Sequence, residues 1–382
     1  MRAGSRETVG APAFRGKFML DSIPASHAGE FNAPADVPQV VRHQPVFSGR
    51  AGEYFGIWFV NLLLSVLTLG IYSAWAKVRT ERYFYAHTTL AGAGFDYLAS
   101  PIAILKGRLI AYAFVIALVV SSKFMPMLYF LLLLALGLVM PVLMTWSLRF
   151  RARNSAWRGL SFRFDNDPGE AYGPFMLWPW LSGITLSLLY PAMKRRQHAF
   201  VVEGHRFGTK RFRFSGTTGQ YLPAYLIALG CGVAAILALS MAIGAAAMVG
   251  KGNEAGKAAV GGAMVAIFLG FYVAFFALLV LIRVRYINLM WNNTSLAGHK
   301  FVSTLRVRDM WWLYASNLVA IVCTLGLAVP WAMVRLARYR ANHFALDARG
   351  DFDEFVAASE TRAGAAGAEL VDALDMGLDI GL

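Results

Sequence analysis

The polar side chains best placed for chemistry are Asn61, Thr68 and Gly70, and a second set, Asn317, Thr324 and Gly326, all inside otherwise apolar stretches. Amides and hydroxyls beside a break in a helix can line a path for a small solute, because unwound backbone offers carbonyls and N–H groups to a ligand. The same residues can instead hydrogen-bond one helix to another. Arg79, Arg82, Arg335 and Arg338 follow at the basic ends of the same stretches. They can grip an anionic lipid headgroup or ligand, or simply fix topology.

Other chemistry finds little footing. The seven histidines show no His-x-x-x-His or Glu-x-x-His spacing, and His205 and His299 stand beside glycines, where a strand-edge or headgroup-facing role suits them better than metal ligation. No serine sits in a Gly-x-Ser-x-Gly setting. Cys231 and Cys323 both lie in apolar segments, which indicates no disulfide framework. Acidic residues are nearly absent from the apolar runs, so no intramembrane carboxylate relay is visible. The expectation is a chain with no catalytic residue, no metal and no cofactor.

The elements that carry these residues are set by hydropathy. The chain is 57% apolar and 15% charged, with a mean hydropathy of +0.51. Phe124 to Leu148, Phe214 to Gly250 and Ala258 to Ile282 contain no Asp, Glu, Lys or Arg. Each can cross roughly 30 Å of hydrocarbon, which makes this an integral membrane protein. The net charge of +14 gathers at the ends of apolar runs, as cytoplasmic loops require, and points to anionic headgroups rather than nucleic acid.

Two pairs of segments, 102–122 with 126–148 and 221–250 with 258–282, read as transmembrane helical hairpins closed by Arg149, Arg151, Arg153 and by Arg283, Arg285. If the units 54–79, 172–193 and 311–334 also crossed, the basic loops at Lys194–Arg213 and Arg283–Arg308 would face outward. Breaks at Leu69-Gly70, at Pro179 to Gly183, and at Leu325-Gly326 with Pro330 let these units return to the side they entered.

Repetition supports this layout. Asn61, Thr68, Leu69, Gly70, Trp75, Arg79, Arg82 and Tyr83 match Asn317, Thr324, Leu325, Gly326, Trp331, Arg335, Arg338 and Tyr339 in one ungapped register. Phe47-Ser48-Gly49-x-x-Gly52-x-Tyr54 recurs as Phe214-Ser215-Gly216-x-x-Gly219-x-Tyr221. A Gly-x-x-Phe turn follows a basic helix end at Gly92/Phe95, Gly159/Phe162, Gly204/Phe207 and Gly298/Phe301, and alternation such as FGTKRFRF argues for strands around it.

The expected fold is therefore an all-α polytopic membrane protein with internal repeats: two transmembrane helical hairpins, three broken or re-entrant helical units, and short β-hairpins forming a small cytoplasmic sheet. Residues 1–43 read as a disordered N-terminal tail and 351–382 as an acidic disordered C-terminal tail. The repeat-containing membrane domain spans 44–350, in units 47–97, 98–164, 164–214, 214–301 and 301–350.

The run TLGIYSAWAKVRTERYFY, with GEYF before it and Thr-x-x-x-Gly-x-x-Phe after it, resembles the YjgN-like family of bacterial inner-membrane proteins, a domain of unknown function. The resemblance is strongest over 47–97 and extends over 45–345, departing where the last turn becomes Arg349-Gly350-Asp351-Phe352. It implies a multi-pass bacterial inner-membrane protein, and the basic loops put both termini in the cytoplasm. It implies no substrate, cofactor or catalytic residue. Two functions follow as expectations: a transporter or channel for a small solute through the broken units, or a non-catalytic envelope protein whose basic cytoplasmic face binds anionic lipid or a protein partner. A second copy of the chain stays open as a partner.

Overall fold

The computed structural model describes residues 40–249 and 254–349. Residues 1–39 and 351–382 of the two tails, Gly350, and Gly250 to Asn253 at the polar loop lie outside the described residues.

Tight hairpins and helical excursions alternate along the chain. Strands β1 (Val40–His43) and β2 (Val46–Phe47) lead into helices α1 (Ala51–Leu67) and α2 (Ser73–Ala86). Strands β3 (Thr88–Leu90) and β4 (Ala93–Tyr97) precede α3 (Pro101–Phe124) and α4 (Pro126–Arg153). Strands β5 (Ser155–Trp157) and β6 (Leu160–Phe164) precede two short helical turns, then α5 (Trp178–Ile184) and α6 (Tyr190–Gly204). Strands β7 (His205–Phe207) and β8 (Lys210–Phe214) precede α7 (Thr218–Val249) and α8 (Glu254–Asn292). Strands β9 (Thr294–Leu296) and β10 (His299–Ser303) precede α9 (Val307–Cys323), α10 (Val329–Asn342) and β11 (Phe344–Arg349).

Among the described residues, all the strands join one antiparallel sheet of eleven, in the order β1-β11-β10-β9-β8-β7-β6-β5-β4-β3-β2. This corrects the expectation of an all-α fold with a small sheet. Each strand is only two to six residues long, so no window of sequence announces more than one hairpin. The sheet exists because successive hairpins pair with one another across the helical excursions: β4 with β5, β6 with β7, β8 with β9 and β10 with β11.

The sheet curls round. Its two edge strands, β1 and β2, are halves of one segment that pairs with β11 through Val40–His43 and with β3 through Val46–Phe47. Residues 40–43, assigned to the tail from sequence, are thus a strand whose partner lies some 300 positions away. The inner face is filled by Leu90, Trp157, Phe207, Leu296 and Leu346, the corresponding residue of each of five repeats, all less than a tenth exposed. Phe95, Phe162, Phe212 and Phe301 pack against them.

Three hairpins turn through two residues at positive φ: Ala91-Gly92, Arg158-Gly159 and Ala297-Gly298. Both central positions of a type I′ turn need the left-handed region, which only glycine enters without strain. The third hairpin differs from the sequence reading. Its turn is Gly208-Thr209, with positive φ at Gly208, whereas Gly204 ends α6. There a Cβ would meet the Phe164 ring at 2.4 Å, so close packing fixes that glycine. At the fifth position β11 runs on through Asp347 and Ala348, where the other hairpins turn, and β1 supplies its partner strand.

The helices form two classes. α3, α4, α7 and α8 include spans of 24 to 33 residues, long and apolar enough to cross a membrane, with at most 6% of each span's best apolar window buried. Such bare apolar surface requires lipid. The α1–α2, α5–α6 and α9–α10 pairs are short: α1 and α9 have 17 residues each, about 25 Å at 1.5 Å per residue. Since β2 pairs with β3 and β10 with β11, the first and last pairs leave the sheet and return beside their point of departure.

One turn chemistry reverses all three. The Gly70 N–H donates to Ser65 O at 2.7 Å and the Leu69 N–H to Val66 O at 3.1 Å, the paired bonds of a Schellman C-cap. Gly326 and Leu325 repeat these bonds, as do Ser187 and Leu186 in the middle pair. The middle reversal is therefore at Thr185–Ser187 rather than between Pro179 and Gly183, where the chain is helical.

Candidate functional site: a basic, tryptophan-lined cleft

The array closes where its first and last helical pairs meet. Tyr54 of α1 is 1% exposed and packs with Tyr83 of α2 and Val334 of α10. The Arg338 guanidinium donates to Gly49 O at 3.0 Å, and the Gln44 amide to Asn342 O at 2.6 Å. Gly49 is required because the Phe47 ring folds back over it, 2.5 Å from where a Cβ would stand; Gly216 does the same beneath Phe214. The repeated tyrosines cap helix starts: the Arg50 N–H donates to Tyr83 Oη at 2.8 Å, and the Arg306 N–H to Tyr339 Oη at 3.2 Å.

Above this seam lies a cleft of about 1060 Å³, walled by the start of α1, the first turns of α9 and most of α10. Arg50, Arg308, Arg335 and Arg338 line it together with Asp309, and Arg50 also pairs with Glu53 at 3.7 Å, so the cleft carries more positive charge than negative. Trp311, Trp312, Trp331 and Tyr339 supply its apolar wall. Arg335 lies over the Trp331 ring, 5.1 Å from its centroid. Trp311 keeps its indole N–H buried with no acceptor among the described residues. Burial raises the Tyr339 hydroxyl above its usual range, so it stays a neutral donor. The arrangement provides several donors, excess positive charge and an aromatic surface, which suits a phosphate-bearing, amphipathic ligand. Nothing in it resembles a nucleophile beside a base.

The predicted site residues divide. Arg335 and Arg338 line the cleft. Arg79 and Arg82, their counterparts on α2, bond Tyr72 Oη at 3.1 Å and Tyr97 O at 3.4 Å and are not among its lining residues. Thr68 and Thr324 are spent on the reversals. Each hydroxyl donates to the carbonyl four residues back at 2.7 Å and accepts the N–H four residues on at 2.9 Å. Gly70 and Gly326 supply positive φ at the same turns. Asn317 is buried and accepts from Arg335 at 3.0 Å. Asn61 is buried with neither side-chain polar atom partnered among the described residues.

Sequence reasoning passed over Arg50, which comes beside Arg335 only through the seam, and Arg308, which the packing of α9 on α10 brings to the same cleft. Their one local signal is that each precedes an apolar helix by a residue or opens it. His205 and His299 are also separated. His205 opens β7 and bonds Val201 O, while His299 is buried on the sheet's inner face and accepts the Arg349 N–H at 3.1 Å.

The family model for "Bacterial protein of unknown function (DUF898)" matches residues 42–373, a range that takes in the sheet from the second half of β1 to β11 and all five helical pairs. The chain belongs to this family. Its relatives include the inner membrane protein YjgN of Salmonella typhimurium, 25% identical over 355 residues, which cover 81% of this chain and 89% of that protein. The YjgN protein of Escherichia coli (strain K12) is 33% identical over 132 residues, about a third of each chain. No solved structure matches. The family and the four apolar helices make this an inner membrane protein, as the resemblance implied.

Proposed function

We propose that this protein is a non-catalytic inner-membrane protein that binds anionic phospholipid headgroups in the cleft between its first and last helical pairs. The observation that carries the reading is the convergence of Arg50, Arg308, Arg335 and Arg338 on a tryptophan-lined cleft. The cleft lies at the sheet-proximal end of the helices, the same end at which α4 carries Arg149, Arg151 and Arg153. By the positive-inside rule this end is cytoplasmic. A cleft there stands at the level of the inner leaflet's headgroups, where each arginine near the surface contributes about 1 kcal/mol of attraction. Transport has weaker support. The threonines and glycines expected along a path hold the turns, and the sheet beneath the helices is filled by Trp157, Phe207 and their neighbours.

The test is lipid retention by the purified protein in detergent, read by native mass spectrometry with phosphatidylglycerol and phosphatidylcholine in equal amounts. Preferential retention of phosphatidylglycerol, reduced about tenfold in Arg50→Gln/Arg308→Gln, is the expected result. Equal retention of both lipids, or no effect of the double substitution, would sink the reading. Solute flux in reconstituted vesicles that fails in Asn61→Ala/Asn317→Ala would favour a path instead.

A further inference from the structure

Away from the cleft, the outer face of the sheet carries an unusual ladder. Arg163 on β6 pairs directly with Arg206 on β7, and Arg206 with Arg211 on β8. Arg213 follows on β8, its cross-strand neighbour being Ser295. Arg163, Arg211 and Arg213 are exposed. Asp165 answers one of these charges as an ion pair, its Oδ2 2.7 Å from Arg206 Nε. Like charges directly opposite in a ladder repel and weaken a sheet, and the single Asp165 ion pair offsets that cost only in part. Such a row is kept where an anion covers it.

The chain itself carries a matching anion. Beyond Gly350 it has 32 residues with eight carboxylates, ending in Asp372, Asp375 and Asp379, against one cation, Arg362. We propose that this acidic C-terminal segment docks on the arginine ladder of β6–β8. Charge complementarity favours it, and so does reach. It follows β11, five strands from β6 in the sheet order, at most about 24 Å away at about 4.8 Å per strand. About seven extended residues span that distance, leaving the carboxylates of the last twenty to meet the row. Tethering gives the segment an effective concentration of order millimolar, which a free polyanion would have to match.

The experiment uses the full chain in detergent, with a photo-crosslinking amino acid in place of Val371 and peptide mapping by mass spectrometry. Crosslinks should fall on β6–β8. They should drop to background in Arg163→Gln/Arg211→Gln/Arg213→Gln, in the tail variant Asp372→Asn/Asp375→Asn/Asp379→Asn, and in 1 M salt. The tail variant leaves the sheet untouched, so it separates docking from misfolding. Crosslinks confined to helices or lipid, crosslinks between isotopically distinct copies, or yields unchanged in both variants would overturn the proposal. None of these outcomes depends on the headgroup cleft.

Discussion

The Arg335 guanidinium donates to Asn317 Oδ1 at 3.0 Å, and the corresponding pair one repeat family away, Arg79 and Asn61, does not meet. Arg335 also bonds Ser316 Oγ at 2.6 Å, whereas Val60 stands at that position in the first unit. Two halves with the same residues have therefore settled differently, one building a polar network at the cleft and the other leaving a buried amide bare.

Opposite signs should follow for the two asparagines. Asn317→Leu strips Arg335 of an acceptor and should cost about 1–3 kcal/mol. Asn61→Leu removes a buried, unpartnered amide and should be neutral or stabilising. Thermal melts of the two variants in one detergent compare them directly. A larger loss at Asn61 would show that its amide has a partner after all.

The reversals make a second sign test. Leu325 has φ 49° and is 95% exposed, while Gly326 has φ 95°. Leu325→Gly relieves left-handed strain at little cost in burial and should raise stability, by about 1 kcal/mol. Gly326→Ala imposes such strain and should lower it by about 1–2 kcal/mol. The melting temperatures should move in opposite directions.

The filled interior of the sheet predicts which tryptophan matters to folding. Trp157 is 4% exposed within the ring of five and donates its indole N–H to Ala93 O at 3.3 Å. Trp157→Ala should cost about 3–5 kcal/mol. Trp180, 68% exposed, should tolerate alanine within about 0.5 kcal/mol. Equal losses would mean that the sheet is not a cohesive core.

Acid should destabilise the α6–α7 contact. Burial, aided by the Lys194 charge, pushes His198 down to about 4, and its Nδ1 lies 2.8 Å from Tyr221 Oη. Unfolding restores the ordinary imidazole value near 6.5, so the unfolded chain binds the extra proton. Stability from this group is complete above about pH 6.5 and falls toward pH 4, by up to about 3 kcal/mol. His198→Asn should flatten that part of the stability profile between pH 7 and 4. A profile unchanged by the substitution would remove His198 as the cause.

Much of this was legible in local sequence. Uncharged apolar runs fixed α4, α7 and α8, and the apolar segment 102–122, despite Lys106 and Arg108, fixed α3, since hydropathy is a property of each residue and accumulates along a helix. The matched register from Asn61 to Tyr83 and Asn317 to Tyr339 identified the short pairs and their Leu-Gly turns, because a Schellman cap is written within six residues. Glycines at 92, 159 and 298 marked hairpins for the same reason. Gly204 misled because a glycine required by the Phe164 ring and a glycine required by a turn are the same letter.

What the sequence by itself determined was which segments are helical, where they reverse, and that they repeat. The tertiary structure decided the rest. Three-residue strands gain their stability from partners across helical excursions, so the pairing of β1 with β11, the ring from Leu90 to Leu346, and the meeting of Arg50 with Arg335 are encoded in no window of the chain. They follow from burying five small apolar faces at once, which only the closed array can do.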